Sequence, residues 1–250
     1  MTVSVLISAY NRPHYIGEAL QSVLDSTYKD VDIIVRNSSD EDYRDAVDRI
    51  VSSFPVTLLH GKNRGPAHSA NALIEASNGD VIVILNDDDA VKPTLIERSL
   101  ELLPTCELVL SQVEFMDEFG KPFESEDHPW FKMKQARNGT RDAWKYELHG
   151  GTPFAGGWMH RRSLTKKIGG ADEGLWHLGD LDFYQRVIEI GDIKVIEEPL
   201  YKFRIHPGNT SWAGEENRFL FDAELKRIRR RYYTPKVENC PSTLSVLEAL

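Results

Sequence analysis

The feature that most constrains this chain is a rhythm of short apolar runs. Residues 3–9, 31–35, 56–60 and 80–85 are rich in Val, Ile and Leu, are strand-sized, and are each followed by polar or turn residues. Helix-length segments separate them. After Pro13, the residues Tyr15, Ile16, Ala19, Leu20, Val23 and Leu24 fall at helical spacing, and Ala67, Ala70, Leu73 and Ile74 repeat the pattern. Unbroken apolar runs read as strands buried on both faces, and strand–helix–strand repeats join parallel neighbours. The expectation is an α/β fold, a doubly wound, mostly parallel central sheet flanked by helices, with smaller strands and loops on one side. Ligands of such sheets bind outside the carboxyl ends of the strands. Here those ends are Ser8–Arg12, Arg36–Asp40, His60–Gly65 and Asn86–Asp89, where the polar chemistry gathers.

The second half is less regular. Glu107–Val113 and Glu114–Phe123 read as strands around the turn Glu118-Phe119-Gly120-Lys121, and Ser125–Gly151 reads as a long polar and aromatic loop. A strand at Ala155–His160, a helix at Leu181–Glu189, strands near Lys194–Ile196 and Leu200–Ile205, and a helix near Glu215–Tyr233 complete the pattern. No linker or repeat divides the 250 residues, so one domain is expected: a half over 1–105, a second over 106–212, and a C-terminal helix and tail over 213–250.

Composition removes several function classes. Lys and Arg number 30 against 39 Asp and Glu, a net charge of −9 that disfavours a nucleic-acid-coating protein. The two cysteines, Cys106 and Cys240, are far apart, which excludes a zinc ribbon or disulfide framework and suits a reducing compartment. No apolar run nears the roughly 18 residues that span a bilayer, and the N-terminus lacks a basic leader, so a cytoplasmic protein is expected.

The chemistry concentrates in Asn86-Asp87-Asp88-Asp89, three carboxylates on one turn directly after an apolar strand. Like charges so placed need a cation or strong solvation. Hard oxygens suit Mg²⁺ or Mn²⁺, which proteins commonly hold with one or two carboxylates plus substrate phosphates. The alternative is an acidic turn that only caps the following helix.

With these residues in place, the chain resembles the family 2 glycosyltransferases of GT-A fold, the nucleotide-diphosphosugar transferases, from Val3 to about Ser211. Val3–Arg12 is similar to the family's opening strand and nucleotide-contacting turn. Asn63-x-Gly65, Ala70-Asn71 and Gly79-Asp80 leading into Asn86–Asp89 resemble its donor stretch and DXD motif. Gly169-Gly170-Ala171-Asp172-Glu173, followed by Gly179-Asp180-Leu181-Asp182 and Arg186, is similar to its base-bearing segment, and Tyr201-x-Phe203-Arg204-Ile205-His206 to its YR-x-H segment.

The resemblance implies donor contacts at Ser8, Ala9, Tyr10, Asn11, Arg12, Asn37, Arg64, Gly65, Asn71 and Asp87. It implies a Mn²⁺ or Mg²⁺ ion at Asp88, Asp89 and His206, a catalytic base at Asp180, and sugar or acceptor contacts at Gly157, Trp158 and Asp182. Trp130, Trp144 and Trp176 lie where family members read the acceptor. Three positions depart from the pattern: Arg36-Asn37 replace an acidic pair that often contacts the base or ribose, Asn86 stands at the first DXD position, and Gly179 replaces a Glu.

The implied activity is metal-dependent, inverting transfer from a nucleotide-diphosphosugar to a hydroxyl acceptor. A UDP-sugar is favoured, with dTDP- and GDP-sugars open, and the acceptor is a carbohydrate or lipid-linked, in polysaccharide or glycoconjugate synthesis. Against it stand a catalytically silent nucleotide- or sugar-binding module and, for Asp180 and Asp182, simple capping of a helix. The basic cluster Lys226, Arg227, Arg229, Arg230 and Arg231 reads either as a peripheral membrane contact or as a solvated helix face.

Overall fold

The computed structural model describes residues 1–123, 135–150, 156–209 and 215–233. In chain order the elements are β1 (Val3–Ala9), α1 (Pro13–Leu24), β2 (Val31–Asn37), α2 (Glu41–Val51), β3 (Thr57–His60), α3 (Pro66–Ala76), β4 (Val81–Asn86), β5 (Ala90–Val91), α4 (Leu95–Leu102), β6 (Leu108–Met116), α5 (Arg141–Gly150), β7 (Gly156–Arg161), α6 (Arg162–Ile168), α7 (Gly179–Ile188), β8 (Ile193–Arg204) and α8 (Glu215–Tyr233). The eight strands form one sheet in the order β3-β2-β1-β4-β7-β6-β8-β5. The first four are mutually parallel, β6 and β8 are parallel, and β7 enters antiparallel to both β4 and β6. The expected α/β architecture and all four leading strands are present.

Burial explains the unbroken apolar runs. Val3, Val5, Ile7 and Ala9 of β1 face one core together with Ile16, Ala19, Leu20 and Val23 of α1, while Leu6 faces the other side with Leu73 of α3. Period-two alternation therefore places apolar groups on both faces at once. A further core gathers Leu108 and Leu110 of β6, Leu181, Tyr184 and Val187 of α7, Val195 of β8 and Ile228 of α8.

The second half corrects three expectations. The two strands expected over 107–123 are one strand, β6, which ends in a tight turn where Asp117 N–H donates to Lys121 O (2.8 Å), with one bridge from Met116 to Pro122. The two strands expected over 194–205 are likewise one, β8. The β6–β8 register shifts twice in this stretch: Ser111 pairs with Ile196, Gln112 with Pro199 and Val113 with Tyr201, so Glu197, Glu198 and Leu200 are extra residues on the β8 side. The fully buried Ser111 hydroxyl closes this irregularity, donating to Glu198 O (3.2 Å) and accepting Leu200 N–H (2.9 Å).

The loop expected over 125–151 contains α5, whose Trp144 and Leu148, one helical turn apart, are buried in the α7 core. Trp144 is therefore a core residue rather than an acceptor contact. Trp130, Ala155, Ser211 and Cys240 lie outside the described residues. Cys106 is buried, and burial pushes its thiol up to about 11, so it stays protonated. No helix among the described residues is long and apolar enough to cross a membrane.

His160 of β7 sits opposite Ile82 of β4, 1% exposed, its Nδ1 3.0 Å from Arg161 O. Burial lowers its pKa from 6.5 to about 4. Across that interval the unfolded chain binds the extra proton, so stability falls as pH drops from about 6.5 to 4, by ~3 kcal/mol for this group. Urea unfolding of His160→Gln is expected to lose that part of the pH dependence. An unchanged slope between pH 7 and 4.5 would contradict the assignment.

Candidate active site

Because β1 and β4 are adjacent and parallel, with Ser8 opposite Asn86, the turn after β1 meets the turn after β4. Tyr10 N–H donates to Asp87 Oδ2 (2.8 Å). Arg12 reaches over the same turn, its Nη1 3.0 Å from Asp87 Oδ1 and 2.8 Å from Asp88 Oδ2, while Nη2 donates to Gly208 O (2.8 Å). Asn11 has the left-handed φ of 57°, which asparagine tolerates better than most residues. That bend lets its side chain exchange two hydrogen bonds with Asp40, Nδ2 to Oδ2 (2.7 Å) and Asp40 N–H to Oδ1 (2.9 Å), and Tyr10 OH donates to the same Oδ2 (3.0 Å). Ala9 is buried and its carbonyl accepts Ser38 N–H (3.0 Å), and it is Tyr10, the first residue after β1 and 37% exposed, that presents a face to solvent.

The three aspartates are all buried, yet they have different partners. Asp89 accepts from Tyr201 OH (2.6 Å), Asn86 Nδ2 (2.9 Å) and Arg204 N–H (2.9 Å), which occupies both its oxygens with the scaffold. Asp87 is held by Tyr10 and Arg12. Asp88 faces Arg12 and His206, whose Nε2 lies 3.1 Å from Asp88 Oδ2. Burial, followed by the charge of Asp88, pushes Asp87 and Asp89 up to about 7. Burial disfavours the Arg12 charge, but Asp88 and then Asp87 outweigh it and raise its pKa.

Arg204, 1% exposed, braces the same turn, its backbone N–H on Asp89 and its side chain on Asp88 O. Its Nε donates to Asp88 O (2.8 Å), Nη2 pairs with Glu18 of α1 (2.5 Å), and its guanidinium lies 4.8 Å above the Tyr15 ring.

These partners test whether a divalent ion fits. Gly208 N–H donates to His206 Nδ1 (3.1 Å), so the Nε2 carries the proton and donates to Asp88. Asp89, expected as a metal ligand, has its oxygens committed to three scaffold donors. Among the described residues no three His, Cys, Asp or Glu side chains converge as a cation site. A single carboxylate, Asp88, held through Oδ2 by Arg12 and His206, suits Mn²⁺ or Mg²⁺ together with diphosphate oxygens, not a protein-only cage.

Several expected donor contacts are struts. Asn37 is fully buried, donating to Asp48 Oδ1 (2.7 Å) and Arg44 O (3.2 Å) and accepting Ser39 N–H (2.9 Å). Arg36 is buried against Ser69 Oγ (2.9 Å) and Lys62 O (3.1 Å). Asn71 ties α3 to the glycine-rich loop, exchanging hydrogen bonds with Ala171 and donating to Glu173 Oε1 (3.0 Å). Gly65, at φ 96°, opens α3 beneath the Trp176 ring, which a Cβ would meet at 3.0 Å, and Arg64 is exposed 4.0 Å from Glu173.

Asp180 lies in the first turn of α7, half-buried, its Oδ1 accepting Leu181 N–H (2.7 Å). The N-cap of that helix is Leu178, so neither Asp180 nor Asp182 is its cap. Asp182 was expected at the acceptor, but it is 0% exposed and pairs with Arg186 (2.7 Å) and Arg231 (2.7 Å) while accepting from Tyr232 OH (2.9 Å). Burial of a carboxylate demands such partners. Trp158 stacks on Phe183 at 5.7 Å and 22°, and a Cβ on Gly157 would meet Leu95 at 2.9 Å, so both serve packing. Arg227 and Arg231 of the basic cluster pair with Asp172, at 3.1 Å each, and remain exposed, as Lys226 and Arg230 are.

Two residues at the site stand in the sequence only within longer segments, without a role of their own: Asp40 at the end of Arg36–Asp40, directly before a helix, and Arg204 within Tyr201–His206.

Residues 4–169 match the model of the family described as Glycosyl transferase family 2. An uncharacterized glycosyltransferase of Nostoc sp. is 27% identical over 219 residues, 84% of this chain and 66% of that protein. One of Methanocaldococcus jannaschii is 27% identical over 250 residues, 94% of this chain and 78% of that protein. Among solved structures, S. aureus TarS 1–349 in complex with UDP-GlcNAc superposes with a TM-score of 0.68 at 15% identity, over 94% of this chain and 68% of that one. The mannosyltransferase PcManGT of Pyrobaculum calidifontis, in complex with GDP-Man and Mn²⁺, gives 0.60 at 16%, over 83% and 58%. The chain thus spans about two thirds of the Nostoc protein, and the family match ends before α7.

The unequal roles of the aspartates are measurable. Asp89→Ala strands three buried donors and is expected to cost about 3 kcal/mol or more in urea unfolding. Asp88→Ala relieves repulsion on its neighbours and is expected to cost less than about 1.5 kcal/mol. Equal losses would show that Asp88 is as structural as Asp89.

Proposed function

The chain belongs to glycosyl transferase family 2 and has the GT-A fold, and from that premise we propose that it transfers a sugar from a nucleoside diphosphate to a hydroxyl acceptor with inversion. One observation carries the proposal: Asp88 and Arg12, a carboxylate and a cation in contact, stand at the carboxyl end of β4, where a nucleotide reaches a doubly wound sheet. The nucleotide sugars held by TarS and PcManGT agree with this use of the fold.

Each residue has a part to which its chemistry is suited. The Tyr10 ring offers a stacking face, and Asp40 beside it accepts hydrogen bonds from base or ribose in place of the missing acidic pair at Arg36-Asn37. Arg12 and the exposed Arg64 supply positive charge to the diphosphate, Arg12 by exchanging carboxylates for phosphate oxygens. Asp88, with diphosphate oxygens, would hold Mn²⁺ or Mg²⁺, which when bound offsets charge on the leaving group. Asp180 takes the proton of the attacking hydroxyl, and a single displacement assisted by an enzyme base inverts the anomeric carbon. The acceptor is a carbohydrate or lipid-linked hydroxyl.

Thermal shift with UDP-, GDP- and dTDP-sugars, with Mn²⁺, Mg²⁺ or chelator, identifies the donor because binding to the native state raises apparent stability. With that donor, Asp180→Asn is expected to lower turnover about 10²- to 10⁴-fold while donor binding survives. Undiminished turnover in Asp180→Asn would remove the base from the mechanism. Asp40→Ala is expected to weaken nucleotide binding about tenfold or more, the loss of one charge-assisted hydrogen bond. Unaltered affinity would place the base elsewhere.

A further inference from the structure

The segment between α6 and α7 is a strap that carries Asp180, and it is held from both sides. On the donor side Asn71 and His68 of α3 grip it, His68 Nδ1 lying 3.0 Å from Glu173 Oε2, and the Trp176 ring covers Gly65. On the other side lies α8. Arg227 donates to Gly174 O (3.0 Å), and Arg227 and Arg231 pair with Asp172.

The closest grip is by Glu224. Its carboxylate accepts three consecutive backbone N–H groups, those of Trp176 (2.6 Å), His177 (2.9 Å) and Leu178 (2.9 Å). A helix start leaves N–H groups without intrahelical partners and carries partial positive charge. The N-cap of α7, Leu178, has no side chain able to serve there, and no side-chain cap is made within the helix. Glu224, 46 residues further along the chain, accepts the N–H of Leu178 and of the two residues before it, so it holds the chain up to the start of the helix. Asp180 follows Leu178 by two residues, so the same carboxylate that closes the strap sets where the first turn of α7 begins.

We propose that Glu224 is a positioning residue for the transfer reaction, which fixes the strap and the start of α7 so that Asp180 meets the acceptor hydroxyl. The assignment rests on the reading of Asp180 as the base. Small displacements of a reacting group are costly, a shift of about 1 Å being worth up to 10²-fold in rate. The Glu224 carboxylate is committed to backbone N–H groups of the strap, so its loss is expected to move kcat and leave the donor KM in place.

Four variants decide it: Glu224→Ala, Glu224→Gln, Asp180→Asn, and Ile228→Ala, which destabilises the same helix through a buried core side chain that cannot hydrogen-bond to the strap. In Glu224→Ala, amide hydrogen exchange at residues 176–178 is expected to accelerate at least tenfold. Turnover of UDP-GlcNAc or GDP-mannose, whichever the chain uses, falls 10- to 100-fold with donor KM within about threefold. Glu224→Gln, which retains one acceptor oxygen, recovers a large part of both effects. Ile228→Ala lowers the melting temperature but keeps wild-type kcat well below it.

Unchanged kcat in Glu224→Ala, unchanged exchange at 176–178, or an equal kcat loss in Ile228→Ala would each overturn the proposal. An inactive Asp180→Asn beside a fully active Glu224→Ala overturns it alone. A fully active Asp180→Asn overturns the base and Glu224's role together.

Discussion

Three carboxylates buried on one turn are the constraint around which this molecule is arranged. Their mutual repulsion in a low-dielectric setting is tolerable only where cations and hydrogen-bond donors are fixed nearby. Those groups come from distant parts of the chain: Arg12 after β1, Tyr201, Arg204 and His206 at the end of β8, and backbone N–H groups from both. Arg204 extends the same network through Glu18 to α1 and through Asp117 O and Glu118 O to the turn after β6. Neutralising one turn thereby locks the β5–β8 edge of the sheet onto its parallel half.

The three acids divide the work. Asp89 belongs to the scaffold, Asp87 orders the β1 turn, and Asp88 meets the side chains of Arg12 and His206. Because a single carboxylate is offered, a divalent ion at this site depends on the diphosphate it accompanies. Around Asp180 the same economy recurs in another form: Asp182, two residues on, is consumed by Arg186, Arg231 and Tyr232, and Glu224 caps the strap. Carboxylates that look alike in sequence thus act as structural anchor, cap or reactive group according to which donors surround them.

Local pattern revealed the elements far better than it revealed partners. The four leading strands, α1, α3 and α8 were all legible because apolar periodicity is a local property. Two long strands read as four, since the pairing that carries β6 and β8 through two register shifts between Ser111 and Val113 is not local. The α5 helix was obscured by its polar sequence, only Trp144 and Leu148 marking its buried face. Within the site, Arg12, Asp87, Asp88 and His206 come together as anticipated. Asn37, Gly157, Trp158, Asp182 and Asp89 are turned to structural use by Asp48, Leu95, Phe183, Arg231 and Tyr201, partners remote in sequence.

By itself the sequence determined the alternation of strand and helix, the parallel order of the first half, and the gathering of polar residues at four strand ends. These follow from side-chain periodicity and the right-handed crossover, which operate over tens of residues. Tertiary structure alone decided which donors each aspartate meets, that Asp40 stands beside Tyr10, and that a glutamate from the last described helix closes the strap before Asp180. The fate of a charge depends on burial and on the donors within about 3 Å of it, and those are set only when distant segments pack together.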